Sequence, residues 1–335
     1  MLNTVYKSYA FLFLILLSFT TTVYSKDDDS CNSQQYQKAK SLIDSYQGKL
    51  LDLKIAYEVL TESLEDNPNC ATVYRQLARI SMKAGVTSVG FQPGVLENAE
   101  SQLKKSISID SDFSDAYVLL SSVYIHMRDY KNAKSNALRA LELGSNSPWL
   151  TIRMAEIAEA EKNYNKAEEY YLQLVNSELK SDYEVRRAIP SAKEGLISLY
   201  LSRKYFDKAD KYYQDIIQEE GSAWSHGNYA SFLLNYRGDY ERAILEAEKA
   251  LKVMNYGAAR HVLATSLYLK WADFLINKNE SDKAQTYFNR AYSLYPNINR
   301  MRDENIRYKN TALLGTTLTT HGKEATDKYQ SMVKK

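Results

Sequence analysis

Apolar and polar positions along residues 116–143 (AYVLLSSVYIHMRDYKNAKSNALRALEL) follow the period of a helix rather than of a strand. Tyr117, Leu120 and Tyr124 recur at steps of three and four, so they share one face of a helix over about residues 115–127. Ala133, Ala137 and Ala140 recur at four and three and predict a second helix over about residues 132–143. Arg128-Asp129 leaves room only for a tight turn, so the two helices pack antiparallel. The small residues of the second helix let the first approach closely, and Tyr130 can pack back over the turn. The second-helix alanine recurs at Ala56, Ala99, Ala133, Ala167, Ala209, Ala243 and Ala284, with steps of 43, 34, 34, 42, 34 and 41. The three longer steps read as insertions at a turn or helix end.

The neighbours of that alanine recur with it: Tyr130-Lys-Asn-Ala133, Tyr164-Asn-Lys-Ala167, Phe206-Asp-Lys-Ala209 and Tyr240-Glu-Arg-Ala243. This pattern resembles the tetratricopeptide repeat, whose period is about 34 residues. Tyr117, Leu120-Ser121 and Tyr124 match its first helix; Tyr130, Ala133, Ala137 and Ala140 match its second; Pro68 and Pro296 fall where the family closes a repeat. The resemblance implies an all-α, right-handed α-solenoid of about seven helix-turn-helix units plus a degenerate C-terminal repeat. Two stretches depart from it. Residues 85–94 (GVTSVGFQPG) read as a loop, because three glycines and a proline oppose helix. Residues 176–191 read as a second, charge-rich insertion. A longer first helix, over about residues 258–276, is expected in the seventh unit, whose turn holds the glycosylation sequon Asn279-Glu280-Ser281. Beyond Pro296, the residues Leu314-Gly315, Leu318, Gly322 and Tyr329 suggest an imperfect eighth unit, as expected of a terminal repeat that must face water.

The N-terminus has a different pattern. Lys7 precedes an apolar run over residues 10–19 (AFLFLILLSF), and Val23-Tyr24-Ser25 supplies a cleavage site with small residues. The run is shorter than the ~20 residues a membrane-spanning helix needs. The expected organisation is a signal peptide over 1–25, a flexible acidic lead over 26–33, the solenoid over 34–296 and a degenerate repeat or cap over 297–335. The expected location is the periplasm or a secretory compartment, with no membrane span after cleavage. The chain has two cysteines. Cys31 precedes the first helix of unit one and Cys70 follows its second, ends that an antiparallel pair makes neighbours. A disulfide or two free thiols both fit that placement.

Composition narrows the chemistry. Of 335 residues, 44% are hydrophobic and 25% charged, ordinary for a folded chain, and a net charge of +2 predicts no nucleic-acid surface. Tyrosine is abundant at 28 residues, most of it expected in packing. There is no GxSxG, HExxH, GxxxxGK[ST] or GxGxxG, and His126, His226, His261 and His321 fall in different units without a helical-spacing partner. No enzyme activity, metal or cofactor is expected.

Binding surface remains. The resemblance places ligand on the first helices, in a concave groove. There Arg75, Arg79 and Lys83 form a basic stripe in unit two. Unit three offers Val118, Ser122, Ile125 and His126, and unit four offers Trp149, Ile152, Glu156 and Glu159. Unit six offers Asn228, Phe232, Asn235 and Tyr236, asparagines for peptide backbone and aromatics for side chains. The carboxylate-gripping set of the chaperone-tail branch is not reproduced, because Leu119 and Trp149 stand where Asn and Lys are wanted. The expected function is a non-enzymatic scaffold or assembly factor for a protein or peptide. The alternative is an exported carrier or accessory subunit for a small molecule or glycan.

Overall fold

The computed structural model describes residues 31–296, except 88, 89, 277 and 279. Fourteen α-helices and one two-stranded hairpin account for nearly all of them. In chain order the helices are α1 (Gln34–Asp44), α2 (Leu50–Asp66), α3 (Ala71–Gly85), α4 (Val95–Ile109), α5 (Ser114–His126), α6 (Tyr130–Glu142) and α7 (Pro148–Ala160). Next come α8 (Tyr164–Val175), α9 (Tyr183–Ser202), α10 (Phe206–Glu220), α11 (Ala223–Phe232), α12 (Tyr240–Val253), α13 (Gly257–Ile276) and α14 (Ser281–Leu294). They fall into seven successive pairs, so the described chain is an all-α solenoid. The signal segment, the acidic lead up to residue 30 and the degenerate eighth unit lie outside the described residues.

The recurring alanine explains the pairing. All seven copies, from Ala56 to Ala284, are fully buried. A methyl group is all that fits where the first helix crosses the second. In the third pair this closeness allows the buried Ser121 Oγ to donate to the Ala133 carbonyl at 2.9 Å. Caps fix where helices begin: Asp129, Asn163 and Asp239 accept from Asn132 N, Lys166 N and Arg242 N at 3.1, 3.4 and 3.0 Å. One residue earlier, at the same place in four turns, Arg128, Lys162, Lys204 and Gly238 take left-handed φ of 61°, 61°, 59° and 68°. Only the glycine does so without strain against a Cβ.

The long steps in the period resolve into three devices. Residues 85–94, expected as an irregular loop, instead hold an antiparallel hairpin of β1 (Val86–Thr87) and β2 (Gly90–Phe91). Its backbone groups pair with one another, and Gln92 N donates to Gly85 O at 2.9 Å. Much of the expected 176–191 insertion is helix, since α9 begins at Tyr183 and runs through Pro190. Proline removes one rung of the hydrogen-bond ladder. Burial of Val185, Ala188, Ala192, Leu196 and Leu199 along one face keeps the helix continuous, and Asp182 caps both Glu184 N and Val185 N. The third device is the 20-residue α13. A further irregularity left no trace in the period: α11 ends in a π-helical turn over Leu233–Arg237.

The chain divides into two compact units, Met1–Arg153 and Met154–Lys335, with the boundary inside α7. In the first, Tyr36, Ile43, Leu53, Leu60, Val73, Leu77 and Ile80 form one core across α1 to α3. Cys31 and Cys70 are joined as a disulfide at its edge, with Cα atoms 5.5 Å apart. In the second, the largest fully buried side chains are Tyr171, Phe232, Phe288, Leu196, Leu199, Leu233 and Leu267. Among the described residues no helix is long and apolar enough to cross a membrane.

Candidate binding surfaces on the first helices

In the first unit the basic stripe of α3 is spent inside the protein. Arg79 donates to Asp44 Oδ1 at 2.6 Å and to Gln76 Oε1 at 2.8 Å, while Gln76 Nε2 donates to Tyr36 Oη at 3.0 Å. The Arg79 and Asp44 side chains are only 14% and 8% exposed, so this network fastens α3 to α1. Arg75 is paired with Asp115 at 3.2 Å. Lys83 lies 5.6 Å from the Tyr46 ring centroid. The stripe is therefore no free basic surface. Val118, Ser122 and Ile152, expected to line a surface, are buried. Trp149 is half-buried in the first turn of α7.

The second unit separates the aromatic-asparagine group. Asn228 is exposed on α11. Asn235 and Tyr236, in the π turn, are half-buried, and Asn235 Nδ2 donates to Ser231 Oγ at 3.1 Å. Phe232 is a core residue at 1% exposure, stacked on Tyr213 at 4.8 Å between centroids. It forms no part of a ligand-facing surface. Tyr236 lies 6.0 Å from Phe232 and 5.7 Å from Phe206.

Sequence reasoning missed a set of tyrosine–carboxylate hydrogen bonds between helices. Tyr124 Oη donates to Glu100 at 2.8 Å in the first unit. In the second, Tyr171 donates to Glu159 at 2.7 Å, Tyr200 to Glu168 at 2.8 Å, Tyr229 to Asp210 at 2.7 Å and Tyr240 to Asp273 at 3.0 Å. A signal was present: Glu100, Glu168 and Asp210 each come directly after a recurring alanine. Hydrogen bonds from Lys104 and Tyr124 hold the Glu100 carboxyl below its usual range. Burial pushes the Tyr124, Tyr200, Tyr229 and Tyr240 phenols up. Tyr213 is raised to about 12, with Tyr236 and Glu194 adding to the effect. Tyr200, Tyr229 and Tyr240 are raised further by burial and by the carboxylates they donate to.

That upward shift has a sign. A phenol ionises near pH 10 in the unfolded chain and higher in the folded one. Its contribution to stability is whole below pH 10 and is lost as pH rises through the folded value. The urea midpoint of the chain should thus be steady from pH 8 to 9 and fall steeply between pH 10 and 12, with Tyr213→Phe reducing the slope. A flat midpoint to pH 12 would contradict these assignments.

Among the described residues, no group of three or more His, Cys, Asp or Glu side chains is placed to hold a metal. His226 Nδ1 and Glu246 Oε2 lie 2.6 Å apart, a pair joining α11 to α12. The first helices thus carry a few exposed and half-buried side chains, such as Asn228, Asn235 and Tyr236, between structural ion pairs.

Two segments, residues 114–145 and 265–298, match the tetratricopeptide repeat family; the first covers α5 and α6, and the second the end of α13 with α14. No curated protein matches the chain in sequence. Among solved structures, a human IFIT1 dimer with m7Gppp-AAAA is 13% identical over 90% of this chain and 71% of its own, with a TM-score of 0.53. An IFIT1 monomeric mutant with Gppp-AAAA is 13% identical over 88% and 70%, with a TM-score of 0.55. A tetratricopeptide repeat protein from Parabacteroides merdae is 16% identical over 87% and 99%, with a TM-score of 0.44. At 13% identity the likeness to the two IFIT1 structures is one of fold alone.

Proposed function

We propose that the protein is an exported, non-enzymatic scaffold that binds a protein or peptide along the first helices of its repeats. The observation that carries this reading is the allocation of side chains on α11. Its inward face is used for packing by Tyr229, Ala230 and Phe232, yet Asn228 remains exposed and Asn235 and Tyr236 are partly so. An exposed amide can pair with extended backbone, and a partly exposed aromatic ring can hold a side chain, the two kinds of contact that peptide recognition uses. Repeat architectures bind through extended surfaces of this kind. The N-terminal targeting pattern supports an extracytoplasmic partner.

The test is selection of peptides from a random display library on the chain lacking residues 1–25, and then titration of the selected peptide. Asn228→Ala combined with Tyr236→Ala should weaken binding at least tenfold with the helical circular dichroism unchanged. No selected peptide, together with a melting temperature raised by a small molecule or glycan, would favour a carrier instead.

A further inference from the structure

The turn edge of the fifth helix pair carries an arginine that the fold positions and does not neutralise. Arg203 comes directly after α9. Its guanidinium lies 5.6 Å from the Tyr164 ring centroid and 4.8 Å from that of Tyr205, and Nη2 donates to Tyr205 Oη at 3.2 Å. Among the described residues no carboxylate lies within ion-pair distance of it. Arg237, in the equivalent place one pair later, is instead paired with Asp207 at 2.8 Å. The cradle is firm, because Tyr164 packs on buried Ala158, Ala167 and Leu199. Two more cations border it. Lys208 Nζ is 5.7 Å from the Tyr205 centroid. Exposed Lys204 holds the left-handed turn position that Gly238 fills in the next pair.

The nearby carboxylate is already occupied. Glu168 takes Lys208 Nζ at 2.9 Å and Tyr200 Oη at 2.8 Å. Against the cost of its burial, those two donors and the charge of Arg203 hold its carboxyl below the usual range. Glu168 therefore balances one cation of three, and the edge keeps an excess of about two positive charges.

We propose that this edge, formed by Tyr164, Arg203, Lys204, Tyr205 and Lys208, docks a carboxylate of an acidic peptide segment. A guanidinium has five N–H donors in a planar fork, and only one is engaged here, which leaves an edge for bidentate contact with a carboxylate. The two tyrosine rings remove water from one side of the charge and offer an apolar shelf to residues flanking the acid. The modest excess charge suits a carboxylate better than a polyphosphate backbone. The inference rests on the protein-binding reading above and gives it a second site and a ligand chemistry.

The test uses the chain lacking residues 1–25 and a fluorescein-labelled, C-amidated peptide of alternating Glu and Gly. Controls are the Gln/Gly peptide and a single-stranded oligonucleotide of equal charge. The Glu peptide should bind and the Gln peptide should not. Arg203→Gln should weaken binding about tenfold, Arg203→Lys should restore only part of it, and Lys204→Gln, which removes the charge and keeps a side chain at the left-handed position, should cost about twofold, all with unchanged melting temperature. Equal binding of the Glu and Gln peptides, or tighter binding of the oligonucleotide, would overturn the proposal. Undiminished binding by Arg203→Gln would also overturn this site while leaving the scaffold reading intact.

Discussion

Phe232→Ala should lower the stability of the second unit by about 3–5 kcal/mol, the range for removing a buried phenylalanine. The ring is 1% exposed and touches three tyrosines, with centroids 4.8 Å to Tyr213, 6.2 Å to Tyr229 and 6.0 Å to Tyr236. Truncation removes the transfer free energy of the ring and opens a cavity among rigid neighbours that cannot close it. Denaturant unfolding monitored by circular dichroism measures the loss. Asn228→Ala, four residues earlier and exposed, is the control and should stay within about 0.5 kcal/mol. If Phe232 instead lined a surface, its substitution would resemble that control and would weaken peptide binding.

Removing the disulfide should have an effect of similar size at the other end of the described chain. Cys31 and Cys70 are 39 residues apart and enclose α1 and α2. In the chain-entropy account, opening a loop of that length costs about 4 kcal/mol. Cys70 is 1% exposed, so alanine is the gentler replacement. Because a solenoid is stabilised through nearest neighbours, the loss should be local. In Cys31→Ala/Cys70→Ala, hydrogen exchange should accelerate in α1 and α2 and remain unchanged in α12 to α14. Uniform acceleration along the chain, or none in α1 and α2, would contradict this account.

Both effects bear on what the sequence discloses. The alanine period gives the seven pairs because the physical demand is local and repeated: a methyl where two helices cross. The same period misplaces Phe232. It tells which residues share a face but not what packs on that face: Phe232 lies against Tyr213, Tyr229 and Tyr236, and Val118, Ser122 and Ile152 are buried in the same way on regular helices. Nothing in the composition of LLNYR marks a π turn, which is held by packing rather than by propensity. Arg79 fails for another reason. Its partner Asp44 is 35 residues away, and only the folded α1–α3 contact brings them together. At Pro190 a local breaker rule loses to tertiary burial along α9. The exposure of Asn228 is legible because a polar residue on a first helix needs no long-range partner to remain in water.

The central claim is that a partner peptide is held on the first helices. Hydrogen exchange of the chain with and without a display-selected peptide tests it most directly. Slowed exchange concentrated in first helices, α11 above all, with little change in α6, α8 and α12, is the result this account predicts. Protection confined to the second helices, or none anywhere at saturating peptide, would contradict it.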